Sequence, residues 1–147
     1  PDDSAVLFSS DAGREGRVYD LDIWSMRVAN QSLERLTNTE FVWDEHAILS
    51  PSGKKIVWVS SEGYDWKPGN AESLKTDFWI MNSDGTNKKQ LTYFNTPGYD
   101  EYIQGASVIS ADSSWNKDGT KLVATAAVIK GASTTSRLII LEFNEPQ

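Results

Sequence analysis

Residues 77–92, Asp-Phe-Trp-Ile-Met-Asn-Ser-Asp-Gly-Thr-Asn-Lys-Lys-Gln-Leu-Thr, repeat residues 22–37, Asp-Ile-Trp-Ser-Met-Arg-Val-Ala-Asn-Gln-Ser-Leu-Glu-Arg-Leu-Thr, at an offset of 55 with no gap. Asp22, Trp24, Met26, Leu36 and Thr37 recur as Asp77, Trp79, Met81, Leu91 and Thr92. Asp84-Gly85 is a turn signal between two strand-like runs. It falls on Ala29-Asn30, where Asn30 can also tolerate positive φ. Each copy reads as a hairpin, and a chain that writes one hairpin twice is constrained to a repeat architecture.

A second unit lies between these copies. Residues 50–59 return as residues 116–125, an offset of 66. Ser50-Pro51-Ser52-Gly53 and Asn116-Lys117-Asp118-Gly119 both suit a type I turn, with Ser or Asn first and Gly fourth. The apolar run after each turn is a strand. Short strands in units of about 40 to 50 residues point to propeller blades, whose sheets stack face to face.

These residues resemble the WD40-like repeat of TolB-type β-propellers. In that family a Ser-Pro-Asp-Gly turn, an apolar strand, an Asp-Ile-Tyr-like strand, an Asp-Gly turn and a closing Leu-Thr make one blade. The likeness covers residues 44–92 best; Ser52 replaces the usual Asp, and Asn116-Lys117 replaces Ser-Pro. The resemblance implies an all-β propeller and a periplasmic or cell-envelope setting with a protein partner.

Naming the strands of a blade A (innermost) to D (outermost), the first blade reads as B at 5–10, matched to 56–61, then C at 22–26 and D at 33–37. The second reads as A at 46–49, B at 56–60, C at 77–81 and D at 89–92. The third reads as A at 108–115, B at 122–128 and C at 137–143. The expected partition is 1–40, 41–95 and 96–147: a partial propeller of about two and a half four-stranded antiparallel blades, too few for the usual ring. Phe78 to Met81 and Leu138 to Leu141 are apolar without alternation, so both faces of these sheets are expected to be covered. Both ends cut inside a blade, and the chain opens on Pro1 rather than Met. A piece of a longer propeller is favoured on those grounds, with self-association over the end faces as the alternative.

Six Trp and 39% hydrophobic residues exclude a disordered chain, and no apolar run approaches a membrane span. A net charge of −7 argues against nucleic acid and anionic membranes. With no cysteine there is neither a disulfide nor a thiolate metal site.

In a meander the A–B and C–D turns share one propeller face, and the B–C and D–A connections, expected to be long, share the other. Two insertions fall on that long-loop face, at residues 62–72 and between Thr92 and Asp112. Each contains Gly-Tyr-Asp. Tyr64, Asp65, Trp66, Tyr99, Asp100 and Tyr102 are therefore the binding-face candidates, suited to a peptide, a sugar ring or a partner protein. His46 and Asp112, each seven positions before a turn glycine, are expected to line the central channel. A single histidine among carboxylates makes a poor transition-metal site, so neither metal nor cofactor is expected. No Gly-x-Ser-x-Gly elbow or cysteine nucleophile is present, which leans against an enzyme. The expected function is a non-catalytic scaffold that binds protein or peptide through the long-loop face. The alternative is an accessory or substrate-gating propeller of a larger hydrolase or carbohydrate-active enzyme, although the acidic loop face would repel a polyuronate.

Overall fold

The computed structural model describes residues 3–14, 16–67 and 70–147. Pro1, Asp2, Glu15, Pro68 and Gly69 lie outside the described residues, and with them one position of the first polar turn and two of the first insertion. Among the described residues ten strands form three antiparallel sheets. The first comprises β1 (Ala5–Ser10), β2 (Asp22–Arg27) and β3 (Leu33–Arg35). The second runs in order through β4 (Asp44–Leu49), β5 (Lys55–Ser60), β6 (Asp77–Asn82) and β7 (Lys89–Gln90). The third comprises β8 (Ser107–Trp115), β9 (Lys121–Lys130) and β10 (Ser133–Glu142). Sheets of three, four and three strands are the partial propeller the repeats imply.

The apolar run Leu138 to Leu141 in the third sheet is covered on one face only, contrary to the expectation for both runs: Ile139 and Leu141 lie against the core, whereas Leu138 and Ile140 are exposed. The unbroken apolar run Phe78 to Met81 is explained by the middle sheet, which is covered on both faces. Ile56, Trp58 and Met81 point to one side and join Ile23 and Leu36 of the first sheet in one core. Val57, Val59, Phe78 and Ile80 point to the other and join Val108, Leu122, Ala124 and Ala126 of the third. Every one of these middle-sheet side chains is buried. Burying a Val, Ile or Phe contributes about 1.5–3 kcal/mol, so these two seams supply most of what holds the sheets together.

Four other readings of the sequence need correction. First, the ladder pairs Phe8 with Trp24 and Ser10 with Asp22, as it pairs Trp58 with Trp79 and Ser60 with Asp77. β1 therefore corresponds to Lys55–Ser60, one residue from the match to 56–61, and a one-residue slip exchanges the two faces of a strand. Second, the turn after β2 has no glycine. It widens, with Gln31 N bonded to Arg27 O where Gly85 N bonds Asn82 O, and positive φ falls on Gln31 (56°) rather than on Asn30. Third, the outer strands end before Thr37 and Thr92, because those hydroxyls leave the ladder and accept the N–H groups of Ile23 (2.8 Å) and Phe78 (3.0 Å). Fourth, the third sheet has no long B–C loop. Lys130 pairs with Ser133 across a tight turn, with Gly131 at φ 59°, so β10 starts four residues before the expected Arg137.

Both inner strands carry the same irregularity. Pairing shifts between Glu45 and Ile48 in β4, and between Ser110 and Ser113 in β8. His46 and Asp112 stand at the equivalent bulged position, seven residues before Gly53 and Gly119. A bulge re-aims the side chain it carries, and that is how two residues of different sheets come to face each other.

Candidate binding face

The repeated Asp and Thr make one device in two sheets. Asp77 is fully buried. Its Oδ1 accepts the Thr92 hydroxyl (2.7 Å) and the Phe94 N–H (3.0 Å), while Oδ2 accepts the Tyr64 hydroxyl (2.5 Å) and Asn95 Nδ2 (3.4 Å). This clamp ties the start of β6 to the chain leaving β7, and so fixes where the insertion after Thr92 begins. Asp22, also fully buried, receives the Thr37 hydroxyl and the Thr39 N–H, both at 3.3 Å. Its other oxygen meets Arg14 Nε (3.4 Å) and the Arg35 guanidinium.

Burial pushes the Asp77 carboxyl up, against the hydrogen bonds that favour its charged form. Burial first, and then the bond to Asp77, pushes Tyr64 up to about 12. Asp44 lies between the first two sheets and accepts Trp58 Nε1 at 3.1 Å; burial pushes it up to about 6. Asp20 is buried as well. Arg14 and Arg17 stand 3.6 and 3.5 Å from its oxygens, close enough to neutralise the charge but beyond hydrogen bonding.

The binding-face candidates fall at two corners. At the first, Tyr64, Asp65 and Trp66 line a cavity of about 380 Å³ together with Glu40 and Phe41. The Tyr64 hydroxyl is committed to Asp77 and Thr96, whereas Asp65 is exposed. The Trp66 indole donates to Phe41 O at 3.2 Å, and its ring packs edge-on against Tyr19 (6.2 Å) and Trp43 (5.7 Å). Rings this close touch one another, so the trio is a platform and not a cage with room inside. At the second corner Tyr99 is exposed and stacks on Tyr93, centroids 3.9 Å apart. Asp100 and Tyr102 line a cleft of about 590 Å³ whose floor is Val108, Val128 and Ile139 and whose rim includes Arg137. Tyr64, bonded to Thr96, links the two insertions.

The structure also brings His46 and Asp112 together, with Nδ1 2.9 Å from Oδ1, while Nε2 lies 3.5 Å from Glu45 Oε2. Among the described residues no group of three His, Cys, Asp or Glu is placed to hold a metal ion. Tyr19, Phe41 and Trp43 were not singled out by the sequence reading, which searched the two insertions only. They sit in the other loops of the same face, and mapping every loop aromatic onto the meander would have found them.

No family model and no curated protein matches this chain in sequence. Among solved structures it is similar to a TolB from Agrobacterium tumefaciens, with a TM-score of 0.63 and 16% identity, covering all of this chain and 44% of that one. It is also similar to an oligogalacturonate lyase in complex with manganese, at TM-score 0.48 and 12% identity over 83% of this chain and 27% of that one. This chain thus spans less than half the length of either. At such identities the likeness is one of fold, and the fold is that of a TolB-like propeller.

Proposed function

We propose that this chain is a non-catalytic propeller segment that binds a protein or peptide through its long-loop face, in the cell envelope. The observation that carries the reading is the cleft bounded by Asp100 and Tyr102. Its volume of about 590 Å³, apolar floor and mixed-charge rim suit the side chains of an inserted segment. Tyr99 beside it offers a large amphipathic ring, preset by stacking on Tyr93, so little conformational freedom is lost on binding. Polar groups elsewhere on the face pair within the chain, as Tyr64 does with Asp77. That is the behaviour of a scaffold holding loops.

The test uses the chain as bait in an envelope extract, with wild type compared against Tyr99→Ala and against Tyr99→Ala combined with Trp66→Ala. Loss of a central aromatic is expected to weaken retention of one reproducible partner by at least about tenfold, with the circular dichroism spectrum unchanged. Equal retention by the wild type and the double variant would sink the proposal.

A further inference from the structure

Asp20 forms part of the wall of a small pocket whose other sides are Gly16, Arg17, Tyr19 and Phe41. Its side chain is 3% exposed, and among the described residues no group hydrogen-bonds to either oxygen. A carboxylate can accept about four hydrogen bonds, and buried polar groups are rarely left with none. Arg14 and Arg17 balance its charge from 3.6 and 3.5 Å, so the acceptor capacity left over suits a neutral donor rather than a third cation. Phe41 marks the same place from the opposite wall. It is 62% exposed and holds positive φ (62°), an outlier for a bulky residue, and strain of that kind collects at ligand sites. The Arg17 guanidinium lies 5.0 Å from its ring and its carbonyl accepts the Trp66 indole, so the exposed ring is held in position.

The pocket measures about 140 Å³, and an apolar cavity of about 150 Å³ takes a benzene ring. A ring of that size between Tyr19 and Phe41, carrying one neutral donor for Asp20, is a phenol. The chain makes the same pairing internally, where the Tyr64 hydroxyl donates to the buried Asp77 at 2.5 Å. We propose that this pocket takes a phenolic ring whose hydroxyl donates to Asp20, supplied by a tyrosine of the peptide that the long-loop face binds. The source of the ring rests on that peptide-binding reading; the preference for a phenol does not. The walls come from the loop between β1 and β2 and from the connection between β3 and β4, so no segment beyond either end of the chain is needed to build the site.

The probes are N-acetyl-tyrosinamide, N-acetyl-phenylalaninamide and p-cresol, titrated into the chain and followed by the indole N–H signal of Trp66, which is bonded to Phe41 O. The tyrosine amide and p-cresol are expected to bind with a Kd of about 1 mM. The phenylalanine amide is expected to bind at least about tenfold more weakly, because it offers the carboxylate no donor. Asp20→Leu removes the acceptor and is expected to erase that preference. Phe41→Ala, at an exposed position that folding does not depend on, is expected to weaken all three probes at least about fivefold. Circular dichroism checks that both variants fold. Equal binding of the two amides, a preference that survives Asp20→Leu, or unchanged binding by Phe41→Ala would overturn the phenol site. Binding of p-cresol without the tyrosine amide would overturn the tyrosine source. Capture of a partner by the wild-type bait is independent of all these results, so a failure here is distinct from a failure of the peptide-binding reading.

Discussion

Asp22 and Asp77 stand at the same place in two copies of one motif, and each takes a threonine hydroxyl and a backbone N–H from the end of its outer strand. Around Asp22 the remaining partners are charged, Arg14 and Arg35, with Glu40 and Asp20 balancing Arg14 in turn. Around Asp77 they are neutral, Tyr64 and Asn95. The difference shows which part of the device is structural. The Asp–Thr pair is common to both copies and closes a blade; the variable partners come from the loops and decide what each corner presents. At the first corner the loops are tied by ion pairs and three packed aromatics, and at the second by hydrogen bonds that leave a cleft open above them.

The sharpest way to break this comparison is to neutralise each aspartate in turn. Asp22→Asn leaves two guanidiniums short of a carboxylate in a buried site, and is expected to cost about 3–5 kcal/mol. Asp77→Asn removes charge from a site with neutral partners and is expected to cost about 1–2 kcal/mol. Urea midpoints measure both, and equal losses would show that the charged and neutral clamps do not differ. The next effect concerns Asp44, whose folded carboxyl is raised from 3.8 to about 6. The folded chain therefore binds that proton more tightly than the unfolded chain. The resulting destabilisation is absent below the lower value, grows as pH rises between the two, and is complete above the upper one. Asp44→Asn is expected to add about 2 kcal/mol at pH 7 and to flatten the stability profile across that window. A variant no more stable than wild type at pH 7 would contradict the assignment.

Tyr64→Phe sharpens the same contrast from the neutral side. Losing one hydroxyl bond to Asp77 is expected to cost about 1 kcal/mol, with Asp77→Asn in the same chain adding less than its separate cost. The smallest effect belongs to His46. Its pair with Asp112 is exposed, so His46→Ala is expected to change stability by under about 1 kcal/mol. Metal content measured by mass spectrometry is expected to be the same in both proteins, and a stoichiometric ion lost in the variant would overturn the reading of a lone channel histidine.

The strands were legible because repetition and apolar patterning act along the chain, where a reader of sequence can see them. The pairing of β1 was not, because Val6 and Phe8 alternate with Leu7 and nothing local says which set faces the second sheet; the ladder to Trp24 decides it. The turn at residues 28–31 was misplaced because without glycine the positive φ moves to the residue that the wider turn requires. The convergence of His46 with Asp112 could be read from equal spacing to a turn glycine, since both belong to one repeated strand. The clamps could not, although Asp and Thr recur fifteen positions apart in each copy. The spacing marks a repeat, and only folding shows that the two residues touch. The platform of Tyr19, Trp43 and Trp66 draws on three separate loops, and no single stretch carries its signature.

Nuclear magnetic resonance of the labelled chain, titrated with whatever protein the wild-type bait retains and Tyr99→Ala does not, tests the proposed role of the long-loop face most directly. Shifts are predicted for the backbone amides of residues 98–104 and for the Trp66 indole, with the buried Trp58 indole unmoved. Shifts that spare the loops and fall instead on the tight turns at Gly53, Gly85 and Gly119 would place the partner on the opposite face and contradict the account.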